Sequence, residues 1–343
     1  MKLSKTLFLI FLLAGLLAYH FWTGKSSREA GAGLAPVKLL ALPPGDFVTA
    51  LEIENEVSKE NMSLVRDESG WRLESPISSP AENFLAEGMA SALTMSQTAK
   101  RFTVEDEKWK EFGFDEAQLR IGIETRDNPA RRTLLLGGES PVSRLVYARW
   151  EGEKECFLVA SEIKAAFDRT VYSLRQKKIF PLNWDQVTWL EAQMEGRRYR
   201  LAREGETWRW LEPPLGAEIS AEKILDLIYA FRSLYVKEFL DGVDPAKRKL
   251  GLGKGENYLA LGEKSGGSEK LILGSAVREK DAFYARRASE DLAVLVSREN
   301  LRSLLEALDV TFHEVQTNVD SGKSEAGSGK NPKGGPKGGK RPG

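Results

Sequence analysis

The sequence predicts an α+β fold made of two tandem, internally repeated modules with mainly antiparallel sheets, placed after one N-terminal transmembrane helix. Three observations lead to this prediction. An apolar run opens the chain, landmarks recur in the second half of the chain, and the hydrophobic period within each half changes from two residues to helical spacing and back. Strands follow one another without intervening helices, which favours antiparallel sheets over a doubly wound arrangement.

The opening apolar run extends from Thr6 to Trp22 and follows two lysines. It is near the lower end of the ~17 to 25 residues that span a bilayer, and lysines before the run favour a cytoplasmic N-terminus. A cleaved signal peptide is the alternative, because residues 30–32 (Ala-Gly-Ala) are small, although they lie well beyond the run. We therefore expect a single-pass protein of the inner (cytoplasmic) membrane, with the bulk of the chain periplasmic or extracytoplasmic.

Composition divides the chain into five segments. They are a signal anchor at 1–22, a linker at 23–45, a first repeat module at 46–180, a second repeat module at 181–316, and a Gly-, Lys- and Pro-rich tail at 317–343. The composition of the tail predicts disorder. Its lysines could touch anionic lipid, wall polymer or nucleic acid, but such runs usually serve solubility.

Residue counts exclude several classes of function. The formal net charge is zero, which predicts no specific nucleic-acid partner. Cys156 is the only cysteine, so no intrachain disulfide can form, and we expect it to be buried in a strand. His20 lies in the apolar run, so a Ser-His-Asp, Cys-His or His-ligated metal site would have to be built on His313.

Self-similarity between the two halves is the strongest signal in the remaining chain. The Trp71 motif recurs at Trp208, the Leu-rich stretch before Gly137 recurs before Gly274, and the Tyr147 strand recurs at Tyr284, each 137 residues later. The Phe-Gly-Phe turn at 112–114 matches Leu-Gly-Leu at 250–252, with one residue more. Each half therefore predicts one module with the order β-β-α-β-β-β-β-α.

A hairpin opens each predicted module. In the first, Leu51, Ile53 and Val57 alternate with glutamates, and a second short strand follows at residues 63–66. Ser79 and Pro80 resemble the start of a capped helix, whose buried face would consist of Leu85, Met89, Ala92 and Leu93.

Serines also predict the starts of the remaining helices. Ser220 is expected to cap the counterpart helix in the second module, which would bury Ile224, Leu227, Ile228, Phe231, Leu234 and Tyr235. Ser161 and Ser297 are expected to cap the last helix of each module.

Candidate sites in the sequence have simple structural interpretations. Gly113, Gly137, Gly251 and Gly274 are expected to be turn glycines, and Trp71 and Trp208 to close the module cores, with sugar stacking as the alternative. Glu52, Glu54 and Glu56 are expected to form a solvated strand face, with binding of a cation or basic partner as the alternative. Residues 180–184 join the halves, and their aromatics with Trp189 suit packing between modules or a partner surface.

Taken in order, these landmarks resemble the domain of unknown function 4340 family over roughly residues 46–315. The resemblance rests on the Trp71 motif, the Phe-Gly-Phe-Asp turn at 112–115, the Leu-Leu-Leu-Gly strand at 134–137 and the Tyr147-Ala148 strand. It implies a bacterial, membrane-anchored envelope protein, often encoded beside an ABC-type transport system. It implies no catalytic residues.

The leading functional hypothesis is a non-enzymatic accessory or scaffold protein that docks to protein partners in the cell envelope, with ABC transporter subunits as candidates. One alternative is a carboxylate-dependent hydrolase of a cell-envelope polymer, which needs two converging Asp or Glu side chains. Another is a small-ligand or lipid-binding protein, favoured by the aromatic content. No catalytic, cofactor-binding or metal-binding residue is assigned, and no cofactor is expected.

Overall fold

The computed structural model describes residues 37–114, 117, 119–141, 144–253 and 255–328. The predicted anchor at 1–22 and most of the predicted linker lie outside these residues, as does the tail from residue 329. The described chain forms two compact units that divide between Gln176 and Lys177. In the part of the chain described here, no helix combines the length and the apolar character needed to cross a bilayer.

The first unit is built on one nine-stranded antiparallel sheet. Its strands are β1 (Val48–Asn55), β2 (Glu60–Asp67), β3 (Gly70–Ser75), β4 (Ser79–Pro80), β5 (Arg101–Thr103), β6 (Leu119–Thr125), β7 (Arg132–Glu139), β8 (Leu145–Trp150) and β9 (Glu155–Ala160). Its helices are α1 (Asn83–Met95), α2 (Ser161–Phe167) and α3 (Val171–Leu174), with a 3-10 segment at Asp106–Phe112. The strand order is β4-β3-β2-β1-β6-β7-β8-β9-β5.

The second unit has the same arrangement. Its strands are β10 (Val187–Met194), β11 (Arg197–Glu204), β12 (Thr207–Glu212), β13 (Glu218–Ile219), β14 (Val236–Phe239), β15 (Asn257–Glu263), β16 (Ser268–Val277), β17 (Ala282–Arg287) and β18 (Ala293–Ser297). Its helices are α4 (Ala221–Arg232) and α5 (Arg298–Ser328), with 3-10 segments at Trp184–Gln186, Arg248–Leu250 and Arg278–Lys280. The strand order is β13-β12-β11-β10-β15-β16-β17-β18-β14.

The predicted α+β class with mainly antiparallel sheets is confirmed, and the two sheets match in detail. Both pair the first strand of the unit with the second strand after the helix, β1 with β6 and β10 with β15, and both have a register shift after the first pair of that ladder, at Val48 and at Val187. Each unit has nine strands where six were predicted: β3 and β12, which contain the tryptophan motifs, and the short strands β4, β5, β13 and β14 were not predicted. Segments of two to four residues are too short to show a hydrophobic period, so sequence patterning does not detect them.

The alternation in β1 ends earlier than predicted. Leu51 and Ile53 are buried as expected, but Val57 lies in the turn and is 66% exposed. Asn55 takes the inward position instead. Its side-chain oxygen accepts hydrogen bonds from Val57 N at 3.0 Å and Ser58 N at 3.1 Å, which closes the turn and ends the strand.

The predicted start of α1 is wrong. Ser79 and Pro80 form β4, which pairs with β3, and α1 begins at Asn83 after Glu82, which makes no side-chain cap. Pairing with the neighbouring strand outweighs the local capping pattern. Met89 and Leu93 are buried as predicted, together with Ala86 and Ala90, while Leu85 and Ala92 pack at the margin of the core.

The predicted cap of α4 is confirmed, since Ser220 Oγ accepts a hydrogen bond from Lys223 N at 3.4 Å. Its buried residues are Ile224, Leu227 and Phe231. Ile228 is half-buried, Leu234 is buried after the helix has ended, and Tyr235 is largely exposed. The helix ends at Arg232 and the chain turns into β14, so the predicted face does not continue to Tyr235.

The final helices differ from prediction in two ways. Ser161 is the first residue of α2 rather than its cap, whereas Ser297 does accept a hydrogen bond from Asn300 N at 3.5 Å at the start of α5. Val315 of α5 is buried, and the helix continues to Ser328, into the predicted tail. Adding residues to an existing helix is easier than nucleating a new one, and α5 is already anchored on the sheet.

The predicted linker is also shorter than its composition indicates. Leu39 and Leu40 are buried in the core of the first unit, and their backbone N–H groups donate to Ser96 O at 2.8 Å and Leu93 O at 3.2 Å. These bonds satisfy carbonyls at the C-terminal end of α1. The chain therefore joins the first unit by residue 39, beside the end of α1.

Candidate functional site

Three sequence landmarks of the first unit meet on the sheet face opposite the helices. Leu135 and Tyr147 lie on this face because side chains alternate along a strand, and their strand neighbours belong to the main core. Phe112 and Phe114, which flank the predicted turn, cover them. The rings of Phe112 and Tyr147 meet edge to face with their centroids 4.8 Å apart. The landmarks therefore form one apolar cluster.

A cation closes the same cluster from outside. The Arg149 guanidinium lies 4.2 Å from the ring centroid of Trp109 and 5.6 Å from that of Phe114. Its Nη1 donates to Glu153 O at 3.4 Å. Stacking on aromatic faces keeps the charge partly solvated while its stem adds to the packing.

Backbone contact between the turn and β7 requires glycine. Gly113 has φ +76°, and its N–H donates to Lys110 O at 3.1 Å. A Cβ on Gly137 would lie closer than 3.0 Å to Phe112 O, a separation that real Cβ atoms do not adopt. The β7–β8 ladder is irregular between Leu136 and Glu139, where the turn approaches.

The second unit repeats this contact with aliphatic residues. Gly251 has φ +72°, and a Cβ on Gly274 would clash with Leu250 O. Leu250, Leu252 and Tyr284 pack over Ile272 of β16. Gly113 and Gly251 are turn glycines, as predicted. Gly137 and Gly274 lie inside strands and permit close approach of another backbone.

A polar and aromatic cluster lies between β11 and α5 in the second unit. The Tyr199 hydroxyl of β11 donates to Asp309 Oδ1 of α5, and Arg197 Nη1 lies 3.6 Å from the same oxygen. Two cavities of about 380 and 330 Å³ flank this group. Arg197 and Tyr199 line both, and His313 lines the larger one.

The rings of Tyr199 and Phe312 line the larger cavity. Both pack against the buried ring of Trp210, and the three ring centroids lie 5.4 to 5.9 Å apart. Burial raises the pKa of Tyr199, and its hydrogen bond to Asp309 raises the pKa further. The hydroxyl therefore remains a neutral donor to Asp309, and β11 and α5 are held together at this point.

An exposed apolar face lies on α1 of the first unit. Met89 and Leu93 are buried beneath the helix, whereas Phe84 and Met95 are 87% and 79% exposed on its outer side. We call Phe84 and Met95, with Gly88 between them, the α1 outer face. Its positions follow the spacing i, i+4, i+11, which keeps them on one side of a helix.

Comparison with known proteins places these features in a family. The family model described as "Domain of unknown function (DUF4340)" matches residues 71–254, more than half of the chain. The chain belongs to the DUF4340 family. Neither a curated protein nor a solved structure matches it. In this DUF4340 protein the Phe-Gly-Phe turn, the Leu-Leu-Leu-Gly strand and the Tyr147 strand are one packed assembly, which accounts for them structurally.

The predicted glutamate face is paired with arginines of this DUF4340 protein. Glu52 contacts Arg131, and Glu54 Oε2 lies 3.1 Å from Arg120 Nε. Glu56 lies in the turn beyond β1 and pairs with Lys59 at 2.7 Å. These side chains are partly exposed, which fits the solvated-face interpretation, and an external cation would have to compete with the arginines.

The tryptophan and junction predictions can also be placed. Trp71 is buried in the core of the first unit, while Trp208 is only partly buried against the core of the second, where the fully buried indole is Trp210. Phe180 packs within the second unit, with its ring centroid 5.8 Å from that of Phe231. Trp189 is half-buried and covers Gly262 on the neighbouring strand.

The smaller cavity bears on the hydrolase alternative because Glu195 and Asp309 both line it. The side chain of Asp309 already accepts from Tyr199 and faces Arg197, so this carboxylate is engaged within the protein. Among the described residues, no three His, Cys, Asp or Glu side chains are grouped as metal ligands.

Sequence analysis identified His313 but missed the residues around it. Its Nδ1 lies 2.7 Å from Asp309 O, and since a carbonyl only accepts, Nδ1 donates. Arg197 and Tyr199 lie more than 100 residues earlier in the chain. A register comparison of the two halves could have found them, because Leu64 and Leu201 are equivalent buried positions that place Glu60 opposite Arg197 and Met62 opposite Tyr199.

We expect Gly137→Ala to lower the free energy of unfolding of the first unit by ~1–3 kcal/mol, because the added methyl group overpacks against Phe112 O. Gly274→Ala should destabilise the second unit similarly. Urea unfolding of the full chain in detergent, followed by tryptophan fluorescence, measures both.

Gly88→Ala is the matched control for these substitutions. Gly88 lies in α1, and a methyl group added there would meet no other atom within 4 Å. Alanine should therefore stabilise the helix by about 0.5–1 kcal/mol. Equal stability of Gly137→Ala and the wild-type chain would show that the turn can move away without cost.

Cys156 should resist alkylation in the folded chain. The thiol is fully buried in β9, as predicted, and burial raises its pKa to about 12, so the reactive thiolate is scarce at pH 8. Iodoacetamide at pH 8 should modify Cys156 only after guanidinium unfolding, as read by intact mass. Rapid modification without denaturant would contradict the buried assignment.

Proposed function

We propose that this DUF4340 protein is an extracytoplasmic accessory protein of the cell envelope, held at the membrane by its N-terminal segment and docked to a protein partner through the α1 outer face. The observation that carries the proposal is the exposure of Phe84 and Met95 on a helix whose opposite side is buried. Phe84 and Met95 lie about 16 Å apart along the same helix side, and a partner that covers both would remove two large apolar side chains from water.

The position of the first described residues supports the proposal. Val37 O accepts a hydrogen bond from Thr98 N at 2.8 Å, and Lys38 bridges to Gln97, so the first described residues lie just beyond the end of α1 at Met95. Val37 is itself 43% exposed. Residues 23–36 connect this point to the predicted anchor and span at most about 50 Å. The α1 outer face would thus remain close to other membrane proteins.

The charges favour a protein partner over the lipid surface. Helices that lie on anionic membranes carry Lys and Arg beside their apolar side. α1 has neither, and its one charged residue, Glu87, pairs with Arg66 at 2.8 Å. We therefore commit to a protein with an apolar docking surface, and the family resemblance favours subunits of an ABC-type transport system as the first candidates.

The test is site-specific photocrosslinking in native membranes. A benzophenone amino acid placed at position 84 or 95 should give the same protein adduct, identified by mass spectrometry, whereas position 302 should give none. Arg302 is a suitable comparison because its side chain is 77% exposed on α5. Adducts with lipid alone, or the same adducts from all three positions, would contradict docking through α1.

A charge-substituted variant provides the second arm. Phe84→Asp with Met95→Asp should abolish co-purification of that partner without changing thermal unfolding, because exposed side chains contribute little to stability. The matched control is Leu225→Asp with Tyr229→Asp, which alters an exposed apolar pair on α4. Loss of the partner in both double variants would show that the interaction does not depend on the α1 outer face.

A further inference from the structure

We propose that the larger cavity of the second unit binds a small organic anion with a flat apolar body, such as an aromatic carboxylate. This proposal is independent of docking through α1. The cavity has a volume of about 380 Å³, within the range of small-molecule sites. Its lining includes two arginines and a histidine together with the rings of Tyr199 and Phe312, and none of its lining residues is acidic.

Of the two arginines, Arg197 is the more exposed and the less tightly paired. Arg198 is held by Glu191 at 2.9 Å and by Glu212 at 3.2 Å. Arg197 is hydrogen-bonded to the Tyr199 side chain and lies 3.6 Å from Asp309 through Nη1, and its side chain is 70% exposed. A guanidinium has five N–H donors in a planar fork, so Arg197 keeps donors that match a carboxylate.

His313 adds a ring to the cavity and no donor for an anion. Because Nδ1 donates to Asp309 O, Nε2 of the neutral ring is an acceptor. The imidazole meets Phe312 edge to face, with centroids 5.6 Å apart and an interplanar angle of 84°. Arg197 therefore borders the same cavity as a wall of rings, which suits an anionic head joined to a flat body.

The wall is formed before any ligand binds. The hydrogen bond from Tyr199 to Asp309 links β11 to α5, and Tyr199 packs against Trp210 and Phe312. Neither the strand nor the helix has to move for the cavity to exist. A preformed site loses less conformational entropy when a ligand binds.

The first unit shows that the sheet does not require an arginine at this place. At the positions equivalent to Arg197 and Tyr199 it has Glu60 and Met62. Met62 is buried in the core, and the Glu60 carboxylate accepts a hydrogen bond from Val171 N at 2.5 Å at the start of α3. Tyr199 links β11 to α5, whereas most of the Arg197 side chain is exposed to the cavity and to solvent.

The test uses the full chain in detergent and benzoate as the probe, with ligand-observed NMR titration as the readout. Benzamidine has nearly the same shape and the opposite charge, and acetate carries the charge without the ring. Benzoate should bind saturably and at least tenfold more tightly than either. Equal binding of benzoate and benzamidine would overturn the electrostatic part of the proposal, and equal binding of benzoate and acetate the aromatic part.

Variants locate the binding. Arg197→Gln should weaken benzoate binding about tenfold, whereas Arg302→Gln on the outer side of α5 should leave it unchanged. Phe312→Leu should reduce the preference for benzoate over acetate. Circular dichroism confirms that each variant is folded, and two independent cavity positions guard against one misfolded variant. Unchanged affinity in Arg197→Gln together with an unchanged preference in Phe312→Leu, or no saturable binding, would overturn the proposal.

Discussion

The contact between a carbonyl in a turn and a glycine in a strand is the constraint on which much of each unit depends. Phe112 O and Leu250 O occupy the space that a Cβ on Gly137 or Gly274 would need. Because the turn lies so close, its flanking side chains cover a sheet face that an antiparallel sheet often leaves to solvent. This cover accounts for the burial of Cys156 and for the aromatic contacts of Tyr147 and Arg149.

Local signals predicted the parts of the fold that local interactions decide. Ser220 caps α4 because its hydroxyl reaches an N–H three residues later, and no distant group competes. Ser79 has a similar sequence context, yet β4 forms there because Leu73 pairs with Ser79 across the sheet. At Ser79 a tertiary contact decides between a helix cap and a strand, and a local capping pattern carries no information about that contact. The repeat and the antiparallel class were predictable since they depend on order and alternation over many residues.

The cavity in the second unit could not be read from either of its segments alone. Arg197 and Tyr199 follow a two-residue hairpin turn, while Asp309 and His313 lie one helical turn apart on α5. Each segment is ordinary in isolation, and only the packing of α5 on the sheet brings them together. The available signal lay in the difference between halves, because a buried Met62 becomes a buried Tyr199 and an acidic Glu60 becomes a basic Arg197.

Two units with one strand order provide an internal control for separating structure from function. Features present in both, such as Gly137 with Gly274, are sufficiently explained by the sheet they cover. Exposed apolar side chains occur on the equivalent helices of both units, at Phe84 and Met95 of α1 and at Leu225 and Tyr229 of α4, so the comparison between units does not single out α1. What distinguishes α1 is that the first described residues pair just beyond its C-terminal end. Arg197 and Tyr199 stand where the first unit has Glu60 and Met62, so the difference between the halves supports anion binding more strongly than it supports docking.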